Sequence, residues 1–192
     1  MKTRDSGMPE ETWWESFFSP DDILDALGLD IIHGPVVDVG CGYGTFTLAV
    51  ARHTAHSIIA IDIEPAMVEL VQRKAVAARF AHVTSRVVDV MDGSLAVVPN
   101  TADVVLLFNL LHCERPRDLL AASKAALRQG GRVAIIHWRS DTPTPRGPDL
   151  SIRPKPETIV DWLKATGFAI ARAPLVLPPY HFGVVGQVIG DR

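Results

Sequence analysis

Three glycines at alternate positions follow a short apolar run early in the chain. The run is Val36–Val39, and the glycines are Gly40, Gly42 and Gly44. Glycine lets the backbone turn sharply and removes the Cβ atom that would hold a ligand away. The helix predicted to begin near Thr45 presents its unpaired N–H groups to the same place. The segment therefore predicts a ligand-binding turn between a buried strand and a helix, and a tight turn that binds nothing is the alternative.

Two acidic residues near this turn narrow the class of ligand. Asp38 lies in the strand before the glycines, and Asp62 closes the second predicted strand, where a carboxylate is expected to bind ribose hydroxyls. Asp38 would repel a pyrophosphate but suits the ammonium of an amino acid. A dinucleotide site would also need glycine where Thr45 stands. A ligand with a ribose, a cationic amino-acid end and no pyrophosphate fits best, and S-adenosylmethionine (SAM) is such a molecule.

Three histidines are candidates for a general base. His112, His137 and His181 each stand next to an end of a predicted strand, where they could accept a proton from an acceptor molecule. The alternative for each is a structural, hydrogen-bonded histidine. No pair of them has a helical ligand spacing, so we predict no metal site.

The elements that must position these residues alternate between strands and helices, which predicts an α/β fold with a largely parallel sheet. Helices are predicted over Glu64–Phe80, Arg117–Leu127, which stops at Gly130-Gly131, and Pro156–Thr166, besides the one that begins near Thr45. The predicted strands are Val36–Val39, Ser57–Ile61, Val83–Val88, Val104–Phe108, Arg132–His137, Phe168–Leu177 and Phe182–Ile189.

The last two strands are joined by Pro178-Pro179-Tyr180-His181 without a helix, and so short a joint makes them antiparallel. This topology would gather the three histidines with Asn109, Trp138 and Tyr180 around one cleft at the carboxyl edge of the sheet. Residues 139–155 are rich in proline and too long for an ordinary connection. We predict either a substrate-side loop or local disorder there.

Residues 1–33 are predicted to form an N-terminal helical cap on a single domain spanning 1–192. Ser19 is placed to cap a helix that begins at Pro20 and ends before Gly28. The aromatic residues that precede it either form a lid over an apolar acceptor or pack on the sheet edge; they are Trp13, Trp14, Phe17 and Phe18.

Composition excludes several classes of protein. The chain has 192 residues, 47% of them apolar, and a net charge of −3, which disfavours sequence-independent nucleic-acid binding. Two cysteines, Cys41 and Cys113, make neither a disulfide framework nor a thiolate zinc site. The N-terminal residues lead into no apolar signal core and no stretch suits a membrane span, so a soluble cytoplasmic protein is expected.

The segment Val36–Thr45 resembles motif I of the class I SAM-dependent methyltransferases, in particular the small-molecule enzymes of types 11 and 25. The resemblance implies a Rossmann-like, doubly wound, seven-stranded sheet of order 3-2-1-4-5-7-6 with strand 7 antiparallel. It also implies that SAM is the cofactor, bound first by the glycine loop. The implied cofactor-binding residues are Asp38, Gly40, Cys41, Gly42, Gly44, Asp62, Ile63, Asp89, Val90, Phe108 and Asn109, with Asp92 competing with Asp89 for the adenine.

The expected acceptor is a small organic molecule. Amino-directed nucleic-acid methyltransferases of this fold carry two prolines after strand 4, where this chain reads Asn109-Leu110-Leu111-His112. Arsenic methyltransferases need several thiols, and outside the glycine loop this chain has only Cys113. A SAM-binding regulatory module without catalysis and a nicotinamide-dependent oxidoreductase are the alternatives. The oligomeric state is expected to be a monomer or a homodimer.

Overall fold

The computed structural model describes residues 10–190, which form seven strands and six α-helices. The part of the predicted N-terminal cap before residue 10 lies outside the described residues. The strands are β1 (Val36–Val39), β2 (Ile58–Asp62), β3 (Val83–Val87), β4 (Ala102–Phe108), β5 (Leu127–Trp138), β6 (Phe168–Leu177) and β7 (His181–Val188). The helices are α1 (Glu11–Glu15), α2 (Pro20–Ala26), α3 (Thr45–His53), α4 (Pro65–Ala77), α5 (Pro116–Ala126) and α6 (Pro156–Ala165).

The strands form a single sheet of order β3-β2-β1-β4-β5-β7-β6. Neighbours from β3 to β5 pair in parallel, and β7 pairs antiparallel with both β5 and β6. The predicted fold class, strand order and reversed seventh strand are therefore confirmed. The carboxyl ends of β1 to β6 lie at one edge of the sheet, together with the first residue of β7, which is where sheets of this kind bind ligands.

The core lies on both faces of the sheet. Every residue of β1 and β4 is buried, as the continuous apolar runs of these strands predict for a sheet covered on both sides. One apolar cluster contains Phe18, Phe46 and Trp138, and the cluster on the other face contains Leu107, Leu120 and Phe182. The site at the carboxyl edge is therefore carried by a sheet that is packed on both faces.

The start of β5 differs from the prediction. The sequence predicts a stop at Gly130-Gly131 and a strand from Arg132, whereas α5 ends at Ala126 and β5 begins at once at Leu127. Leu127 pairs with Ala102, and the register then shifts before Arg132 pairs with Val104. The two glycines lie within this irregularity, where a Cβ atom on Gly131 would come within 2.8 Å of the carbonyl oxygen of Arg128. Here the glycines mark a bulged strand, which single-sequence patterns do not separate from a helix stop.

The N-terminal region also needs two corrections. A short helix, α1, precedes the one predicted from Pro20, and the cap predicted from the Ser19 side chain is not formed. The predicted helix end is confirmed, because Gly28 adopts a left-handed φ of 69° just beyond α2. On α4, Nζ of Lys74 donates to the carbonyl of Tyr43 at 2.8 Å and pairs with Glu11. This contact ties α1 and α4 to the glycine loop.

The edge strand β6 is irregular. Its pairing with β7 shifts register twice, between Ile170 and Arg172 and again between Arg172 and Leu175, and Pro174 lies in the second shift. Proline has no N–H group to donate to a ladder.

Within residues 10–190, the helices are all too short or too polar to cross a lipid bilayer.

Candidate active site

The glycine loop joins β1 to α3 at the carboxyl edge of the sheet. Gly40, Gly42 and Gly44 have φ values of 65°, 50° and 79°, all in the left-handed region that side chains disfavour. A Cβ atom on Gly40 would meet Leu110 at 2.8 Å, and one on Gly44 would meet Val71 at 2.9 Å. Two of the three glycines therefore serve the protein's own packing as well as the turn, which the sequence did not show.

Asp62 clamps this loop from the end of β2. Its Oδ2 accepts the N–H of Gly42 at 2.9 Å, and its Oδ1 accepts the N–H of Glu64 at 3.0 Å. Burial raises the pKa of this carboxyl, and the two backbone donors act in the opposite direction. Each carboxylate oxygen has two lone pairs, so both oxygens can still accept from ligand hydroxyls. The predicted ribose-binding residue is thus also the anchor of the loop.

Asp38 lies buried in β1, beneath the loop. Its Oδ2 accepts the hydroxyl of Thr47 on α3 at 2.5 Å. Burial raises the pKa of Asp38 to about 6, the Thr47 hydrogen bond lowers it, and the charge of Asp62 raises it further. Cys41, which also lies in the loop, is buried, and burial raises the pKa of its thiol. The carboxyl of Asp38 is therefore partly protonated at mildly acidic pH.

The segments after β2 and β3 lie beside the loop. The carbonyl of Asp62 accepts the N–H of Val88, which brings the ends of the two strands together. The carboxylate of Asp89 accepts the N–H of Met91 at 2.9 Å and so caps a short 3-10 turn, Val90–Asp92. Ile63 and Val90 are half-buried, as expected for apolar residues that line a partly open site.

Asn109 has the most unusual surroundings in this region. It follows β4 directly and has a φ of 60°, a conformation that asparagine adopts more readily than most residues. Its Nδ2 and Oδ1 are both buried, and neither has a hydrogen-bond partner among the described residues. The Oγ1 of Thr45, at the start of α3, is likewise buried without a hydrogen-bond partner among the described residues, and we call such atoms orphaned. Because buried polar atoms are costly without partners, these three atoms have hydrogen-bonding capacity left for a bound polar molecule or water.

The predicted single cleft is divided by the sheet. His137 and Trp138 are successive residues of β5, so their side chains point to opposite faces. His112 lies with His137 on one face, with ring centroids 5.4 Å apart. His181 pairs in register with Trp138, and their rings lie on the other face with centroids 4.1 Å apart. His137 and His181 are buried, whereas His112 is half-buried, and burial lowers the pKa of all three.

Aromatic side chains fill the face around Trp138. The ring centroid of Phe17 lies 5.6 Å from that of Trp138 and 6.0 Å from that of Tyr180. The ring centroids of Phe18 and His181 are 4.7 Å apart. Phe17 and Phe18 are buried, so of the two predicted alternatives they pack on the sheet edge. Trp13 keeps 43% of its surface exposed.

The proline-rich loop, 139–155, has a defined form held by one buried side chain. The Arg153 guanidinium donates to the carbonyl oxygens of Pro148 at 2.8 Å and Arg139 at 2.9 Å, and to Oγ1 of Thr144 at 2.7 Å. It also lies 5.7 Å over the ring of Trp138. Within residues 10–190, no carboxylate forms an ion pair with it. The sequence offers no local signal for this role, because its partners are mostly backbone carbonyls.

Replacing Arg153 should loosen this loop. We expect Arg153→Met to lower the free energy of unfolding by about 2–4 kcal/mol, since several buried acceptors lose a charged donor. Arg153→Lys keeps the charge but not the planar fork, and it should rescue only part of the loss. Urea denaturation and the rate of proteolytic cleavage within 139–155 measure both effects. Equal stability of all three proteins would contradict the role given to Arg153.

Known proteins resemble this chain in sequence and in fold. The sequence profile of a family described as a methyltransferase domain matches residues 36–131, half of the chain. A SAM-dependent methyltransferase from Aquifex aeolicus is 22% identical, with 94% of each chain covered and a TM-score of 0.79. A type 11 methyltransferase from Sulfolobus solfataricus is 26% identical, over 91% of this chain and 95% of that one, with a TM-score of 0.69. A sequence search of curated proteins gave no significant match.

A doubly wound sheet of this order, with a glycine loop at its carboxyl edge, has the architecture of the Rossmann-like class. The chain belongs to the class I SAM-dependent methyltransferase family. The orphaned atoms of Asn109 and Thr45 and the left-handed glycines fit a bound SAM. Residues 10–190 contain no group of three or more His, Cys, Asp or Glu side chains placed to hold a metal ion.

Proposed function

We propose that this methyltransferase transfers the methyl group of SAM to a small organic acceptor by in-line displacement. The observation that carries the proposal is the clamped glycine loop, in which Asp62 accepts the N–H of Gly42 beside the orphaned amide of Asn109. Bound SAM supplies an electrophilic methyl group on a sulfonium. The protein has to align the two reactants and exclude water, and such orientation is worth on the order of 7–11 kcal/mol.

Each part of the site has a proposed task. Asp62 would accept the ribose hydroxyls, and Asp38 would lie near the ammonium of the methionyl part. Asn109 would use its buried amide on the donor near the transferred methyl group. Asp89, Ile63 and Val90 would surround the adenine, whereas Gly40, Cys41, Gly44 and Phe108 would shape the walls.

A small acceptor is supported by the surroundings of the edge. The loop 139–155 follows β5 directly at this edge and is held in one form by Arg153, and we expect it to narrow the approach of an acceptor. The net charge of −3 offers little attraction for a polyanion. Both features favour a compact organic molecule over a nucleic acid as the acceptor.

Calorimetric titration tests the donor site. We expect SAM and S-adenosylhomocysteine to bind the purified protein while NADH gives no heat of binding. Methyl-labelled SAM then tests the acceptor, when it is incubated with the enzyme and a cell extract separated by molecular size. Label in the low-mass fraction supports a small acceptor, whereas label confined to protein or nucleic acid contradicts it.

The raised pKa of Asp38 makes SAM binding depend on pH. At about pH 5.5 the free protein carries mostly protonated Asp38, because its pKa is near 6. The ammonium of SAM favours the carboxylate, so binding should release a proton, and affinity should rise with pH through about 6 and level off at about pH 7. Titration in two buffers of different ionisation enthalpy measures the released proton.

The matched control is Asp38→Asn. The amide can still accept from Thr47 but cannot titrate, so the proton release at about pH 5.5 should disappear while the fold persists. Asp62, whose pKa is also raised, stays unchanged in this variant. Proton release that persists in Asp38→Asn would place the titrating group elsewhere.

A further inference from the structure

Residues 10–18, which we call the strap, are firmly anchored at their carboxyl end. Phe17 and Phe18 are both buried. The ring centroid of Phe17 lies 5.6 Å from that of Trp138, the last residue of β5. The ring centroid of Phe18 lies 4.7 Å from that of His181, the first residue of β7. This end of the strap is therefore part of the core at the carboxyl edge of the sheet.

The other end of the strap is held by one ion pair. Helix α1 buries none of its residues, and the half-buried ring of Trp14 packs toward the anchored end, 5.0 Å from that of Phe18. Glu11 pairs with Nζ of Lys74 on α4, and this amine also donates to the carbonyl oxygen of Tyr43 at 2.8 Å. The side chains of Glu11 and Lys74 keep 33% and 26% of their surface exposed. Because so exposed an ion pair is weak, this end of the strap opens more easily than the anchored end.

The strap lies along the edge of the sheet that carries the glycine loop. Its anchored end contacts β5 and β7, and its other end is tied through Lys74 to the loop that follows β1. Because β4 lies between β1 and β5, the strap passes the end of β4, which Asn109 follows. Two strand spacings measure about 9.6 Å. Six residues of helix, as many as separate Glu11 from Phe17, also cover about 9 Å.

The strap and the proline-rich loop approach the glycine loop from two sides. Tyr43 stands in the middle of the glycine loop, and burial raises the pKa of its hydroxyl. The charges of three glutamates act in the same direction, and they are Glu11, Glu10 and Glu64. The charge of Arg146, on the proline-rich loop, lowers the same pKa. The acidic end of the strap therefore lies near the loop that is expected to hold the donor.

We propose that the strap gates the donor site, so that SAM enters and S-adenosylhomocysteine leaves only when the ion pair between Glu11 and Lys74 is broken. The strap would then move about its buried anchor, Phe17 and Phe18. The gate rests on the proposed function, which places SAM at the glycine loop. Lys74 couples the two elements, because one amine holds both the strap and the carbonyl of Tyr43. A closed strap would keep water from the donor during methyl transfer.

A gate changes rates and leaves the binding equilibrium alone. When the strap closes equally well over the empty and the loaded site, easier opening speeds association and dissociation of SAM by the same factor, and Kd stays constant. A residue that shapes the donor site would change Kd instead. The two rate constants, measured together, therefore separate gating from a structural role.

Stopped-flow tryptophan fluorescence with SAM measures both rate constants. Glu11→Gln removes the charge that holds the strap and leaves Lys74 on the carbonyl of Tyr43. We expect both rate constants to rise roughly 2- to 5-fold with Kd unchanged. Added salt should speed exchange in the wild type and have less effect in Glu11→Gln, because salt screens exposed ion pairs. Glu15→Gln is the matched control, since Glu15 is an exposed residue of α1 without an ion pair among the described residues.

A change at Lys74 separates the two contacts of its amine. Lys74→Met frees the strap and also takes a donor from the glycine loop. We expect the faster exchange of Glu11→Gln together with an affinity for SAM that is roughly 2- to 10-fold weaker. An affinity lowered to the same extent in Glu11→Gln, with its association rate unchanged, would give the strap a binding role and overturn the gate.

Quenched-flow hydrogen exchange tests the strap without a ligand. The amides of Trp14 and Ser16 donate within the strap, and they should exchange faster in Glu11→Gln than in the wild type or in Glu15→Gln. The amides of β4 should keep their protection in all three proteins. Unchanged exchange in the strap and unchanged SAM rate constants in Glu11→Gln would overturn the gate. A wild type that binds no SAM would instead refute the proposed function, and the gate with it.

Discussion

Replacing Gly42 with valine is expected to lower the affinity for SAM by at least about 100-fold, or about 2.8 kcal/mol. Gly42 has a φ of 50°, and a β-branched residue with positive φ is a steric outlier. The loop would have to change its backbone, and the N–H group of residue 42 would leave Asp62. Calorimetric titration with SAM measures the loss, and circular dichroism checks that the sheet remains.

Gly130→Val is the matched control for this change. Gly130 has a similar left-handed φ of 75°, but it lies near the start of β5, at the sheet edge opposite the site. The strain of about 1–2 kcal/mol should lower its stability and leave SAM affinity unchanged. If Gly42→Val bound SAM as tightly as the wild type, the glycine loop would not be the donor site.

Removal of the carboxylate of Asp62 should have the second largest effect. We expect Asp62→Ala to weaken SAM binding roughly 10- to 150-fold, typical of about 1.5–3 kcal/mol for lost hydrogen bonds to a charged group. Two causes add here, because this carboxylate would hold the ribose and also anchors the N–H groups of Gly42 and Glu64. Calorimetry compares the affinities of the two proteins.

Asp103→Ala provides a control of the same chemistry. Asp103 is also buried, accepts the N–H of His33 at 2.9 Å and pairs with Arg128, but it lies at the opposite edge of the sheet. Its loss should lower stability while SAM affinity remains. Normal SAM binding by Asp62→Ala would move the ribose contact to another residue.

The sequence predicted the sheet because each buried strand is a short apolar run between helical segments. The bounds of β1 and β6 were predicted to the residue, the reversed β7 followed from the short joint before it, and the strand order followed from the family resemblance. The predictions were wrong where one local sequence pattern is compatible with two structures. Gly130-Gly131 is equally typical of a helix stop and of a bulge, and only the pairing of Leu127 with Ala102 decides between them.

The site was predictable where residues of a suitable chemical type stand at the spacing of a known motif. Asp38, Asp62 and the glycines lie together at the carboxyl edge, as the motif predicts, although their roles toward SAM stay predictions. Contacts between distant segments were not predictable. The pairing of His112 with His137, the three loop contacts of Arg153 and the filling of the space beside Gly40 by Leu110 all depend on tertiary packing.

The irregular edge strand bears on how this enzyme avoids self-association. An exposed, regular outer strand offers a row of free N–H and C=O groups on which another molecule can add a strand, and aggregates grow in this way. In β6, two register shifts and Pro174 interrupt that row after only a few residues. A second molecule therefore finds no continuous template along the β6 edge, and a dimer formed at this edge would have to use side chains and not an extension of the sheet.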